Sequence, residues 1–156
     1  MKPFLDTNIL IEIAKSETNH FSTKLFYELS LNHPRLNIIY LSDLVLNETH
    51  SWLTNRVSIQ KAASFIDRLL SSNVTYQNKS LKFVKTNYDP LNFDRALELS
   101  GNSNYIYNKK GLTLVDSLLL LQMEDENGII YSGDLRMSYF INKNGSPSSI
   151  YFPIIN

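Results

Sequence analysis

Residues 3–10 read PFLDTNIL. The first three form a short apolar run, typical of a buried strand, that ends at an acidic residue, Asp6. Thr7 follows in a position to cap a helix, because Ile9, Leu10 and Ile13 recur at helical spacing. The stretch therefore predicts a strand that passes directly into a helix.

The same alternation of strand and helix continues along the chain. The predicted helices span residues 18–31, 43–55, 58–70, 81–85, 90–99, 112–123 and 135–141. The predicted strands span residues 3–5, 36–41, 74–76, 129–132 and 149–152. We therefore expect a single α/β domain over residues 1–156, with a central, mostly parallel sheet flanked by helices and a helical hairpin near residues 43–70.

Composition narrows the classes of function. The formal net charge is zero, from 15 basic and 15 acidic residues, so the global attraction of a basic protein for nucleic acid is absent. The chain has no cysteine, which excludes disulfides, thiolate zinc sites and thiol nucleophiles. It also has neither a run of about 18 apolar residues nor a secretory leader pattern. We expect a cytoplasmic protein that makes no membrane contact.

Two aspartates occupy the same kind of position. Asp6 and Asp134 each follow a predicted buried strand and precede a predicted helix. Ligands of open α/β sheets bind beyond the carboxyl ends of the strands, which is where both side chains would lie. Each aspartate could equally serve as an ordinary helix cap.

Two further acidic residues lie on predicted helices. Glu48 falls within about 60° of the apolar residues Leu44, Val45 and Trp52 on a helical wheel. A buried carboxylate there needs a cation, a hydrogen-bonding partner or a raised pKa, unless it reaches water at the rim of the apolar stripe. Asp116 ends the sequence Thr-Leu-Val-Asp, which has the form of a capping box at the start of the most apolar helix.

Four short motifs together resemble the acidic motifs of PIN domains. They are FLDTNIL at residues 4–10, LNE at 46–48, LVDSL at 114–118 and IYSGD at 130–134. The resemblance spans most of the chain and is closest to the VapC-type toxins of toxin–antitoxin pairs. It implies a metal-dependent ribonuclease that hydrolyses RNA phosphodiester bonds and leaves a 5′-phosphate and a 3′-hydroxyl.

The resemblance also implies one shared acidic site. Asp6, Glu48, Asp116 and Asp134 would be its catalytic and metal-binding residues, with Asp6 and Asp116 as principal ligands. Converging carboxylates repel one another, and an oxygen-only site favours Mg²⁺ or Mn²⁺.

Other polar residues are assigned supporting roles at this site. Asn8 and Ser132 would hold the carboxylates by hydrogen bonds. Arg136, Lys109 and Lys110 are candidates for contacts with the RNA phosphates.

Other interpretations remain open at this point. A haloacid-dehalogenase-like phosphatase would need a second aspartate where this chain has Asn8, and a receiver domain would need a late lysine that does not map here. Two alternatives remain: a PIN-like binding module without significant catalysis, and a PIN nuclease of RNA processing. As partners we expect an RNA substrate, an antitoxin protein and, through the hairpin, a second copy of the chain.

Overall fold

The computed structural model describes residues 1–15, 20–71, 73–101, 111–137, 139 and 149–151. Lys109 and Lys110 lie outside this range, as does most of the loop predicted over residues 101–111.

The strands form one six-stranded sheet within the described part of the chain. They are β1 (Lys2–Leu5), β2 (Ile38–Ser42), β3 (Asn73–Tyr76), β4 (Lys79–Thr86), β5 (Gly128–Ser132) and β6 (Ser149–Tyr151). Their order is β3-β4-β2-β1-β5-β6, and all neighbours are parallel except the antiparallel pair β3 and β4. The predicted α/β class with a mostly parallel sheet is confirmed.

The helices connect and flank these strands. They are α1 (Thr7–Lys15), α2 (His20–Asn32), α3 (Asp43–Arg56), α4 (Ile59–Ser71), a short 3₁₀ helix (Pro90–Asn92), α5 (Phe93–Ser100) and α6 (Leu114–Asp125). Residues 135–137 and 139 are also helical. Helices α3 and α4 pack against each other as the predicted hairpin. No helix among the described residues is both long enough and apolar enough to cross a bilayer.

One predicted helix is wrong. Residues 81–85 belong to strand β4, which pairs with β2 on one side and with β3 on the other. Leu81 and Phe83 are both buried while Lys82 between them is exposed, which is the period-two pattern of a strand. Gln77 and Asn78 both have positive φ and form the tight turn that joins β3 to β4.

The predicted turn at Asn127-Gly128 is present and is required by close packing. Asn127 has a φ of 51°, which lies in the left-handed region. A Cβ on Gly128 would come within 2.9 Å of side-chain atoms of both Phe4 and Met123. Gly128 therefore lets β5 begin directly against β1 and α6, and a larger residue would require the side chains of Phe4 and Met123 to move.

The hydrophobic core includes the central strands, and the register of these strands determines where their carboxyl ends lie. Phe4 and Leu5 of β1 are fully buried and lie level with Ile130 and Tyr131 of β5. Phe4 is also level with Tyr40 of β2. Because these three strands are parallel and in this register, the residues that follow them reach the same edge of the sheet.

Candidate active site

Asp6 is the residue at which β1 becomes α1. Its backbone N–H donates to the carbonyl of Tyr131 on β5, and its own carbonyl accepts from the N–H groups of Ile9 and Leu10. Its carboxylate Oδ1 accepts from the backbone N–H of Thr7 at 2.7 Å. Asp6 is therefore at the N-cap position of α1, because its carbonyl accepts the first helical hydrogen bonds. The prediction that Thr7 is the cap is wrong by one position, since Thr7 is the first helical residue.

The second oxygen of Asp6 is held by the last residue of β5 and by a residue in the first turn of α1. Ser132 Oγ donates to Asp6 Oδ2 at 2.6 Å, and Asn8 Nδ2 lies 3.5 Å from the same oxygen. Asn8 Oδ1 accepts from the backbone N–H of Gly133 at 2.9 Å, so Asn8 ties the start of α1 to the end of β5. Ser132 and Asn8 thus occupy the positions that were predicted for groups holding a carboxylate.

Asp6 is nearly buried, with 8% of its surface exposed. Burial raises its pKa from 3.8 to about 6, although the hydrogen bonds from Ser132 and Thr7 favour the charged form. The negative charges of Asp116 and Glu48 raise this pKa further. Asp6 is therefore a carboxylate whose charge the surrounding protein does not balance.

Glu48, on α3, is half-buried and lies near Asp6. Its Oε2 accepts a hydrogen bond from Thr7 Oγ1 at 3.1 Å. Burial raises the pKa of Glu48, the Thr7 hydrogen bond lowers it, and the charge of Asp116 raises it again. No local pattern predicts that Thr7 orients this glutamate, since hydroxyl residues at helix starts usually act as caps.

Asp116 enters from the first turn of α6. The predicted capping box is present: Thr113 Oγ1 accepts from the Asp116 N–H at 3.0 Å, and Asp116 Oδ2 accepts from the Thr113 N–H at 3.4 Å. Burial raises the pKa of Asp116, while the Arg136 guanidinium and the hydrogen bonds from Thr113 lower it. The charge of Asp134 raises it.

Asp134 follows β5 and is tied to Arg136. Its Oδ1 accepts from the backbone N–H of Arg136 at 2.9 Å, and its Oδ2 lies 3.2 Å from Arg136 Nη2. Its own N–H donates to Ser132 Oγ at 3.0 Å. Ser132 therefore connects Asp134 to Asp6 through one hydroxyl group.

The structure thus brings all four predicted carboxylates to one edge of the sheet. Asp6 interacts electrostatically with Glu48 and Asp116, and Asp116 interacts with Asp134. Arg136, a candidate for contact with an RNA phosphate, contacts two of these carboxylates. The other two predicted phosphate contacts, Lys109 and Lys110, lie outside the described residues.

The donor chemistry of this edge fits a hard divalent cation. Three neighbouring carboxylates have raised pKa values, so a positive ion among them would relieve both their burial and their mutual repulsion. Across the described residues, no three acidic or histidine side chains form a ready-made metal cage. Mg²⁺ usually binds one or two carboxylates and keeps several waters, so such an ion would not require three protein ligands.

Comparisons with known proteins were made at the level of sequence and of structure. No protein-family model matches the chain, and no curated protein matches its sequence. Solved structures do match. The VapBC2 structure from Rickettsia felis, bound to a DNA fragment from their promoter, has a TM-score of 0.63 at 17% identity over 99% of this chain and 100% of that chain.

Two further structures share the fold. VapC20 of Mycobacterium tuberculosis, described as a toxin that cleaves the sarcin-ricin loop, has a TM-score of 0.57 at 15% identity over 85% of this chain and 92% of that chain. A domain of a functionally unknown protein from Methanocaldococcus jannaschii has a TM-score of 0.51 at 13% identity over 99% of this chain and 93% of that one. The predicted resemblance to VapC-type PIN domains is therefore confirmed for the fold, which is what identities this low can show.

Proposed function

We propose that this chain is a divalent-cation-dependent ribonuclease that hydrolyses RNA phosphodiester bonds, and that it is the toxin of a toxin–antitoxin pair. The observation that carries the proposal is the buried Asp6 carboxylate, which has a pKa of about 6 and is flanked by the charges of Asp116 and Glu48. It lies beyond the carboxyl ends of parallel strands, where α/β folds bind their ligands. The fold shared with VapC20, a toxin described as cleaving the sarcin-ricin loop, supports the choice of RNA.

Each carboxylate has a distinct role in this proposal. Asp6 and Asp116 are the principal ligands of Mg²⁺ or Mn²⁺, directly or through water. Glu48, which Thr7 orients, and Asp134, which Arg136 engages, are further ligands or position the attacking water. A bound cation would lower the pKa of a water and neutralise charge that develops on the phosphodiester.

Asn8 and Ser132 are proposed to fix the carboxylates in place. Ser132 Oγ donates to Asp6 and accepts from the backbone of Asp134, so one buried hydroxyl sets the distance between two acidic residues. Such supporting groups typically contribute about 10- to 100-fold to metal affinity or activity.

The partners follow from the same proposal. The VapBC2 structure is that of a complex, which supports an antitoxin partner for a chain with this fold. Val57 and Ile59, at the turn between α3 and α4, are exposed apolar side chains. We therefore keep the hairpin of α3 and α4 as the proposed contact with an antitoxin or a second copy of the chain.

The proposal is tested by RNA cleavage with a matched pair of variants. Asp6→Asn removes the charge of the central carboxylate, and Asp67→Asn removes a charge from the exposed surface of α4. Each protein is incubated with structured and single-stranded RNAs in Mg²⁺, Mn²⁺ or EDTA, after circular dichroism confirms its fold. We expect wild type and Asp67→Asn to cleave only with the cation, and Asp6→Asn to lose about 100-fold or more, since even supporting residues contribute up to about that much.

The same experiment addresses the alternative of a binding module without catalysis. If folded wild type and Asp6→Asn give the same background on every RNA, the nuclease proposal is wrong and the binding module is favoured. A nuclease of RNA processing would pass the cleavage test, and the absence of a neighbouring antitoxin gene would then favour it over a toxin.

A further inference from the structure

Arg136 lies between two of the four carboxylates. Its Nη2 is 3.2 Å from Asp134 Oδ2 and 3.5 Å from Asp116 Oδ2. The Arg136 side chain is 26% exposed, and the partner side chains are 29% and 17% exposed. One arginine and two aspartates therefore form a partly buried network of two ion pairs, and not a solvated surface contact.

These three residues come from two separate parts of the fold. Asp116 belongs to the first turn of α6, whereas Asp134 and Arg136 follow β5. The backbone N–H of Arg136 donates to Asp134 Oδ1, which fixes the start of the arginine side chain beside the site. The guanidinium reaches from the segment after β5 to Asp116 on α6, and this side chain can leave Asp116 by rotation without unfolding either element.

The guanidinium supplies the charge that a cation would otherwise supply. The Asp134 charge raises the pKa of Asp116, and Arg136 opposes that effect. A guanidinium and a metal ion both require the lone pairs of carboxylate oxygens, and Asp116 Oδ2 already accepts from Thr113. A cation that coordinates this oxygen must therefore displace Arg136 or share the oxygen against charge repulsion.

We infer that Arg136 is the internal counter-cation of the ion-free site, and that a divalent cation binds by replacing its contact with Asp116. The inference rests on the proposed function, because it assumes that the cation uses Asp116. Arg136 is thus a positioning residue: it keeps Asp116 and Asp134 side by side until the cation arrives. Once released, its guanidinium remains next to the site, where an RNA phosphate would bind.

A purely structural salt bridge would behave differently. If Arg136 only fastened β5 to α6, its removal would loosen the site and weaken cation binding. Replacement by the cation requires the opposite, namely tighter cation binding when Arg136 is removed. The direction of the change in affinity therefore separates the two roles.

The test is Mn²⁺ binding without RNA, measured by isothermal titration calorimetry and by electron paramagnetic resonance of free Mn²⁺. The proteins are wild type, Arg136→Gln, Arg136→Lys and the control Arg95→Gln, which removes a charge from an exposed pair with Glu124. We expect Arg136→Gln to bind Mn²⁺ about three- to tenfold more tightly, the range expected from the loss of one or two partly exposed ion pairs. Arg136→Lys should lie between Arg136→Gln and wild type, and Arg95→Gln should match wild type.

The other outcomes would contradict either the inference about Arg136 or the proposed function. If wild type binds Mn²⁺ and Arg136→Gln binds equally or more weakly, the inference is wrong while the proposed function stands. If no variant binds Mn²⁺, both are wrong. Should Arg136→Gln fail to fold in EDTA, the comparison of Arg136→Lys with wild type decides the question, because lysine retains the charge but lacks the planar fork of arginine.

Discussion

Asp6 is held between opposing influences on its charge. Two short hydrogen bonds, from Ser132 and Thr7, favour the carboxylate, while burial and the charges of Asp116 and Glu48 favour the protonated acid. The second set prevails, and the pKa rises to about 6. In the ion-free protein, ionisation of Asp6 at neutral pH therefore lowers the stability of the fold.

This imbalance predicts how Asp6→Asn changes stability with pH. A folded pKa of about 6 against an ordinary value of 3.8 means that Asp6 contributes stability below about pH 4, and that this contribution is lost as the pH rises through 6. The full difference corresponds to about 3 kcal/mol. In EDTA, Asp6→Asn should therefore gain stability over wild type as the pH rises from 4.5 to 7.5.

Urea unfolding of both proteins at the two pH values measures this gain. Asp67→Asn, on the exposed surface of α4, controls for the loss of one negative charge. A stability difference between Asp6→Asn and wild type that does not change with pH would contradict the environment described here for Asp6.

Sequence alone indicated the four carboxylates better than the side chains that form hydrogen bonds or ion pairs with them. A strand-end position marked Asp6 and Asp134, and an apolar helix face marked Glu48, because both signals depend on local pattern. The hydrogen bond from Thr7 to Glu48 joins residues 41 positions apart, and the contact of Arg136 with Asp116 joins residues 20 apart. Such pairs depend on how elements pack, which a single sequence does not specify.

Among the elements, α3 begins with a cap that also ties the sheet together. Ser42 is fully buried, and its hydroxyl accepts from the Leu44 N–H at 3.2 Å while it donates to Gln122 Oε1 on α6. Gln122 Nε2 in turn donates to Thr86 Oγ1 at the end of β4 at 3.0 Å. The start of α3 is thereby fixed near the edge that carries the acidic residues.

Two serine caps in this hairpin should therefore differ in their contribution to stability. Ser58 caps α4 by accepting from the Lys61 N–H at 3.1 Å, in an exposed setting, so Ser58→Ala should cost about 1 kcal/mol. Ser42→Ala removes a cap and also leaves the Gln122 amide oxygen without its donor, so it should cost about 2–3 kcal/mol. Urea denaturation compares the two, and equal losses would mean that the link from Ser42 to Gln122 contributes nothing.

The wrong prediction for residues 81–85 shows where local pattern fails for an element. Lys79–Thr86 mixes charged and apolar residues over a length that also suits a short amphipathic helix. What makes it a strand is pairing with β2, some 40 residues earlier in the chain, together with a turn at Gln77-Asn78 that contains no glycine. The first cause is nonlocal and the second lacks the usual sequence signal for a hairpin.

At the scale of the whole molecule, strand order explains how distant carboxylates meet. Strands β2, β1 and β5 are adjacent and parallel, so the residues after β1 and β5 and the start of α3 share one edge. The parallel direction of these strands follows from the alternation of strands and helices, which is why the fold class was predictable, whereas their order was not predicted. Because the chain has no net charge, the proposed RNA recognition would depend on this local edge and on the proposed cation.

We propose that RNA is hydrolysed with the help of a cation held by this acidic edge. The most direct measurement is the chemistry of the cleaved ends, determined on an end-labelled RNA in Mg²⁺ and in EDTA. We predict products with a 5′-phosphate and a 3′-hydroxyl in Mg²⁺ and no products in EDTA, because the proposed cation would make water the nucleophile in place of the RNA 2′-hydroxyl. Cleavage that persists in EDTA and leaves 2′,3′-cyclic phosphates would show attack by the RNA 2′-hydroxyl. Cation-dependent hydrolysis by this site would then be wrong.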